Sequence, residues 1–390
     1  MIKFLLIILL SLSTLSQSFA QVGEKKIIES KAKYLQPSYK KLFKQGRRNS
    51  VLNYMEIGSL AFKSGDLNEA KIAFDNAVRG IELIYKDNPA SEKARSLWYE
   101  EAIKDFKGEP YERVMAYYYL GLTYLAEGDV ENARAVFVSG LLQDAFAEEK
   151  QHRADFALMM YLSAWSAMKM NAEHLWSPSL VNFSELRNGY PLPKPEDNVL
   201  VIVETGKSPR KLADGIGKYE LVYRQGKKFK DKQAQVTINN TETRLLPVED
   251  IYWQASTRGG RAVDRIIKGK VEFSDTTSNV GDALARTGNT IIEWSALNES
   301  SNSLQSVGTA MSVVGLASKM FSLNVETKAD IRYWKSLPNT IHVQSFKLNN
   351  VNNITVNALD KFGNILNMPN MQTYIYKVPN NYTIIWAKSY

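Results

Sequence analysis

Residues 54–77 read YMEIGSLAFKSGDLNEAKIAFDNA, and residues 117–140 read YYYLGLTYLAEGDVENARAVFVSG. Laid over each other, they agree in spacing at eight positions: Tyr54, Ile57, Gly58, Ala61, Gly65, Ala70, Phe74 and Ala77 against Tyr117, Leu120, Gly121, Tyr124, Gly128, Ala133, Phe137 and Gly140. Each segment holds two apolar-periodic runs joined by a Gly-Asp step, which reads as helix, turn, helix. Gly65 and Gly128 take the turn, where a left-handed backbone favours glycine. Gly58 and Gly121 stand where the first helix presses on its partner and a side chain would hold the backbones apart. Ala70, Phe74, Ala133 and Phe137 fill that seam from the second helix.

This order of aromatic, small, turn-glycine, Ala, Phe and small residues matches the tetratricopeptide repeat. The two units are offset by 63 residues rather than by one repeat length, so a further stretch lies between them. Within it, Pro89, Ala90 and Ser91 open a helical pattern running through Ile103, and Pro110 after Gly108 precedes a new helix near Tyr111. A fifth helix over Arg153 to Met170 is expected to cap the stack. In this repeat the first helices line the concave face, which places Leu52, Met55, Ser59 and Phe62 beside Met115, Tyr118, Leu122 and Leu125. That is an apolar, methionine- and aromatic-rich groove suited to a helix or extended peptide of a protein partner. The competing reading is that residues 86–112 or the C-terminal half cover the face, because two units alone do not finish a core.

Upstream, Met1-Ile2-Lys3, the apolar run Phe4 to Leu12 and the small-residue site Ser18-Phe19-Ala20 form a secretory signal pattern over residues 1–20. The mature chain is expected to begin at Gln21 and to work in the periplasm or at the outer membrane, with secretion as the alternative. No later segment suits a membrane span: Leu304 to Leu323 carries Gln305, Thr309, serines and Lys319. Cysteine is absent, which excludes disulfides, thiolate metal sites, thiol nucleophiles and a lipidated cysteine.

Charge is uneven along the chain. Residues 21–50 carry nine Lys and Arg against two Glu, residues 51–180 thirteen against twenty acids, and residues 181–390 twenty-six against nineteen. The basic arm over 21–50 is expected to fold back on the acidic segment beside it, its nearest opposite charge. A denser cluster comprises Lys207, Arg210, Lys211, Lys218, Arg224, Lys227, Lys228, Lys230 and Lys232. Of these, Lys207, Arg210, Lys211, Lys227, Lys228, Lys230 and Lys232 are the candidate contacts to a polyanion of the envelope, cell wall or lipopolysaccharide. Nucleic acid is not an expected partner, since no recognition motif accompanies the charge.

Residues 177–198, with Pro178, Pro191, Pro193 and Pro195, read as a proline-rich linker after a helical domain over 51–176. Beyond it, strands are expected over Val199–Val203, Tyr219–Tyr223, Gln235–Ile238, Thr243–Tyr252, Ile341–Leu348, Ile354–Ala358, Thr373–Val378 and Tyr382–Ala387. A helical insertion is expected from about 261 to 323, its apolar 304–323 stretch covering a sheet face. The fold class is therefore α+β in two domains. All-α tetratricopeptide-type hairpins precede a β-rich, antiparallel sandwich-like domain over 199–390.

No catalytic constellation emerges, and no cofactor or metal is expected. Gly206-Lys207-Ser208 lacks the upstream glycine of a phosphate loop, the position being Val201, and Pro209 follows it, so it reads as a turn. His152, His174 and His342 lie on different elements. Glu109 and Glu112 suit the start of a helix beside Pro110. Asp330, Arg332 and Trp334 read as an ion pair beside a core tryptophan.

The run Phe106 to Met115, continuing through Tyr118-Tyr119-Leu120-Gly121-Leu122 and Gly128-Asp129, resembles the signature of a family of exported tetratricopeptide proteins of Gram-negative bacteria, many of them lipoproteins. Gln143-Asp144-Ala145, Ala154-Asp155-Phe156, Val203-Glu204-Thr205-Gly206 with Pro209, and Ala329 to Trp334 with Leu337-Pro338 are similar to the same family. The resemblance implies export and a tetratricopeptide platform but brings no activity, and the missing cysteine leaves lipid anchoring without support. The expected function is a non-catalytic envelope protein making protein–protein contacts. Polyanion binding through 207–232 is the alternative, and an enzyme with an unfamiliar site is the third class.

Overall fold

The computed structural model describes residues 22–85, 105–106, 108–145, 155–214, 220–258, 330–351, 353–379 and 381–390. Helices occupy residues 22–30 (α1), Gln36–Gln45 (α2), Ser50–Lys63 (α3), Leu67–Tyr85 (α4), Pro110–Glu127 (α5), Val130–Ala145 (α6), Ala157–Lys169 (α7) and Glu173–Leu186 (α8). The strands are Val199–Thr205 (β1), Arg210–Asp214 (β2), Glu220–Arg224 (β3), Gln233–Ile238 (β4), Thr241–Leu245 (β5) and Pro247–Asp250 (β6). After helix α9 (Ile251–Arg258) come β7 (Thr340–Phe346), β8 (Thr355–Leu359), β9 (Gln372–Val378) and β10 (Tyr382–Lys388). The fold is mixed α+β, helical in its N-terminal region and strand-rich in its C-terminal region.

The glycines act as their spacing implies. Helix α5 ends at Gly128, whose φ is 86°, with the Gly128 and Asp129 amides donating to Leu125 O and Tyr124 O. Gly65 has φ 77° at the α3–α4 turn. A Cβ on Gly58 would lie 2.7 Å from the Phe74 ring, and one on Gly121 would lie 2.3 Å from the Phe137 ring. Each helix pair is thus closed by a phenylalanine edge resting on bare backbone. At the start of α5, the Glu112 carboxylate accepts the Glu109 amide at 2.8 Å, one turn back beside Pro110.

Five strands form one sheet in the order β6-β7-β1-β10-β9, three form a second in the order β5-β4-β8, and β2 pairs with β3. The large sheet is mixed, because β1 runs antiparallel to β7 but parallel to β10. The expected antiparallel sandwich is corrected on that point. Two strands so far apart in sequence are not bound to a hairpin, and the chain between them serves as the long crossover that parallel pairing needs. β1 is buried at all seven positions, which accounts for its unbroken apolar run. One of its faces, Val199, Val201 and Val203 with Ile385 and Ala387 of β10, packs on Ala234, Val236 and Leu245 of the smaller sheet. The other face, Leu200 and Ile202 with Ile384 and Trp386, packs on the helices.

That second contact settles the concave face. Leu52, Met55, Ser59, Phe62, Met115, Tyr118, Leu122 and Leu125 are all buried. The Phe62 ring meets Trp386 edge-on at 4.8 Å, Tyr118 donates to Glu204, and the Leu125 carbonyl accepts from Tyr382. Ser59 accepts the Trp334 indole N–H at 3.0 Å. An open groove here is therefore corrected to an internal seam: its apolar residues are the helical half of a shared core.

Two further expectations change. Helix α7 does not cap the stack, since Ala157 to Met168 are buried on every side and α8 lies over them with Leu180 and Phe183. Nor are residues 177–198 a linker. Pro178 sits inside α8, and Arg187 and Tyr190 are buried, the Tyr190 hydroxyl donating to Leu246 O and Val343 O. The basic arm does fold back: Lys31 pairs with Glu69 at 2.9 Å, and Tyr39 donates to the same carboxylate. The signal pattern over 1–20, the intervening pattern from Pro89 to Ile103 and the insertion at 261–323 lie outside the described residues.

Gly121→Ala tests the crossing. Helix propensity alone returns about 1 kcal/mol, but a methyl driven into a fully buried ring costs about 1–3 kcal/mol. A net loss of up to roughly 2 kcal/mol in urea unfolding is expected. Gly23→Ala, where a Cβ meets nothing within 4 Å, should lose none.

Candidate anion-binding cleft

The alternation of β2 sends neighbouring cations to opposite destinations. Lys211 points inward, 3% exposed, its Nζ 2.9 Å from Glu112 Oε2 and 3.2 Å from Glu109 Oε1. Burial works against its charge, but Glu109 and Glu112 outweigh burial and hold the ammonium above its ordinary pKa. The other Glu112 oxygen accepts the Trp334 amide at 2.7 Å. Strand β2 is thereby pinned to α5, and Lys211 is withdrawn from the polyanion contacts expected of it.

Arg210, next along the strand, lines an open cleft of about 620 Å³ together with Arg224, Gln225, Gly226, Lys227, Lys228 and Tyr252. The register sets Arg210 directly across from Arg224. Like charges in that position repel, and the repulsion is relieved when an anion lies between them. The Arg210 Nε donates to Gln225 O at 3.1 Å, which fixes the base of its guanidinium. Gly226 brings the turn against the preceding segment so closely that a Cβ would sit 2.3 Å from Lys207 O. Tyr252 closes the cleft from the first turn of α9. None of these seven lining residues is a carboxylate, so among the described residues the wall presents four cations and no counter-charge. Such a lining takes phosphate, sulfate or carboxylate groups.

Of the seven expected contacts, the structure brings Arg210, Lys227 and Lys228 together. Lys207 instead lies 4.4 Å above the Tyr390 ring, Lys232 lies 3.8 Å above the Phe229 ring, and Lys230 is exposed beyond the cleft. Arg224 belonged to the same basic run in sequence. Tyr252 was hidden, because Thr243 to Tyr252 reads as one strand while the chain divides it into β5, β6 and the start of α9.

The remaining candidates have structural roles. Gly206 makes a turn at φ 74°, its amide donating to Asp231 at 2.6 Å. Arg332 pairs with Asp330 at 2.6 Å beside buried Trp334. His174 is exposed, and His152 lies outside the described residues. His342 is fully buried, with Nε2 3.2 Å from Thr205 Oγ1 and Nδ1 3.3 Å from Leu245 O. Burial lowers its pKa to about 4. Among the described residues, no group of three or more His, Cys, Asp or Glu side chains is placed to hold a metal.

Comparison of the chain with family models, curated proteins and solved structures gave no match.

Lys211→Met should destabilise the fold by about 3 kcal/mol, because Glu112 is left buried without its cation. Adding Glu112→Leu should restore much of that loss in urea unfolding. His342 carries a pH signature. Its folded pKa lies below the unfolded one, so its contribution is complete above pH 6.5 and is lost as pH falls towards 4. Glu249, pushed up to about 8 by burial, has the opposite sign: its contribution is complete below about 4.5 and is lost as pH rises to 8. The difference between wild type and His342→Gln isolates the histidine. Over pH 6.5 to 4 the wild type should lose up to about 3 kcal/mol relative to the variant.

Proposed function

We propose that this chain is an exported, non-catalytic cell-envelope protein that binds an anionic envelope polymer, cell wall or lipopolysaccharide, in the Arg210–Arg224 cleft. The observation that carries the reading is the pair of arginines set directly opposite one another, with Lys227 and Lys228 in the same wall. In this reading α3–α4 and α5–α6 are tetratricopeptide-type hairpins that serve as a platform for the sheet, supported by the matched glycine crossings. Membership of the exported tetratricopeptide family belongs to the same proposal and rests on the motifs from Phe106 to Asp129. Export rests on the pattern of the first twenty residues.

Protein capture on the concave face loses its support, because the residues that would make the contact are buried against the sheet. The buried ionisable groups favour binding over catalysis. Glu112 engages Lys211, Glu204 engages Lys388, and Glu249 engages Arg187, each pair joining layers or neighbouring strands. No helix among the described residues is long and apolar enough to cross a membrane.

Titration with purified lipopolysaccharide or cell-wall polymer tests the cleft. Affinity should fall as salt rises, and Arg210→Gln with Arg224→Gln should weaken binding roughly tenfold or more. Salt-insensitive binding, or binding retained by the double variant, would refute the proposal.

A further inference from the structure

We infer that the loop following β8 is a wedge that seats the protein on an anionic lipid bilayer surface. The two most exposed large apolar side chains among the described residues both lie on this loop, Phe362 at 76% and Ile365 at 61%. Scattered apolar residues on a surface are ordinary, but these two are held outward by a closed turn. Asp360 Oδ1 accepts the amides of Phe362 at 2.8 Å and Asn364 at 2.9 Å, and Oδ2 accepts the Asn364 side-chain N–H at 3.0 Å. Gly363 passes through φ 87°, and the Leu359–Ile365 bridge and the Leu366 amide bonded to Ala358 O shut the base. Phe362 and Ile365 therefore need no ordering before contact, which removes an entropic cost of docking.

Charge around the tip selects the occupant. Lys361 Nζ lies 4.8 Å from the Phe362 ring centre, and the guanidinium of Arg244 lies against Gly363, so close that a Cβ there would be 2.5 Å from Nη2. The Lys232 amide donates to Leu359 O at 2.8 Å, which sets Lys232 at the foot of the loop. Asp360, the one acid of the turn, has both oxygens committed to loop N–H groups. The result is an apolar point projecting from a cationic collar. An anionic bilayer is layered in the complementary order, charged headgroups above hydrocarbon, so one approach satisfies both. A protein partner would need that stratification built specially, whereas a lipid surface has it everywhere.

The proposal stands on this loop and not on the arginine cleft, so the two fail separately. The test is co-sedimentation of the full chain with vesicles of phosphatidylcholine alone and of phosphatidylcholine mixed with phosphatidylglycerol. The chain should partition onto the anionic vesicles only. Phe362→Ser with Ile365→Ser should weaken that partition roughly tenfold, with an unchanged urea unfolding curve and unchanged binding of dextran sulfate by the cleft. Lys361→Glu with Arg244→Glu should weaken it as well. Absence of wild-type binding to anionic vesicles, equal binding to both compositions, or full binding by the serine variant would overturn the proposal. Concentration-dependent self-association in sedimentation equilibrium that the serine variant lacks would assign the tip to a second copy of this chain, and would overturn it too.

Discussion

Glu204 is a fully buried carboxylate at the junction of helix and sheet, and much of the molecule is arranged to keep it there. Its oxygens accept from Tyr118 and Tyr119 of α5 and from the Trp386 indole of β10, while Lys388 of β10 supplies the counter-charge at 2.8 Å. An ion without these partners would be driven out of such a site or neutralised. Satisfying it requires α5, β1 and β10 to be in place at once. The constraint explains why consecutive tyrosines on α5 both face inward and why a charged residue follows the apolar run Val199–Val203 within β1. It also fixes register. A slip of β1 by one residue would turn Glu204 to the opposite face, onto Ala234, Val236 and Leu245 of the smaller sheet.

The pair between Lys211 and Glu112 repeats the arrangement some distance along the same helix, and that between Arg187 and Glu249 repeats it again at the end of α8. Buried pairs of this kind add little net stability, because desolvation offsets their attraction. Their effect is on specificity: three buried polar contacts, each needing its partner in place, favour one relative placement of helices and sheet. The bulk of the favourable free energy comes from the apolar surface around them, the Phe62, Phe74, Trp334 and Trp386 rings above all. With the inward-pointing cations committed to these pairs, Arg210, Arg224, Lys227 and Lys228 are left on the outside to form a cleft.

Both helix pairs were legible in the sequence, and so was every described strand but β2, though not always with true ends and with β5 and β6 read as one. Periodicity and turn glycines are local signals, and Gly121, Gly128 and the Val199–Val203 run carry them strongly. What covers what was not legible. A face bearing Met55, Met115, Tyr118 and Leu122 has the same composition whether it awaits a partner or has one within its own chain, and the pattern does not distinguish these states. The pairing of β1 with β10 links residues 184 apart and leaves no local trace. Prolines misled for a related reason. Pro178 looks like a helix breaker in isolation, yet α8 carries it at an exposed position and buries Leu180 and Phe183. Within the basic run, composition could not separate Arg210 from Lys211. Only strand alternation does, and strand β2 was not visible in a stretch dominated by charge.

The parallel pairing of β1 with β10 has a kinetic consequence. Contacts within the helix pairs are local and close quickly, whereas the central strands of the large sheet must find each other across most of the chain, a slow search with a large loop-closure cost. Until they meet, the tyrosine- and methionine-rich side of α5 faces solvent, and so do the apolar strands meant to cover it. In that interval such surfaces are prone to associate between molecules. A holding chaperone at this stage, or a slow refolding phase with a strong dependence on protein concentration, is what a fold of this connectivity implies.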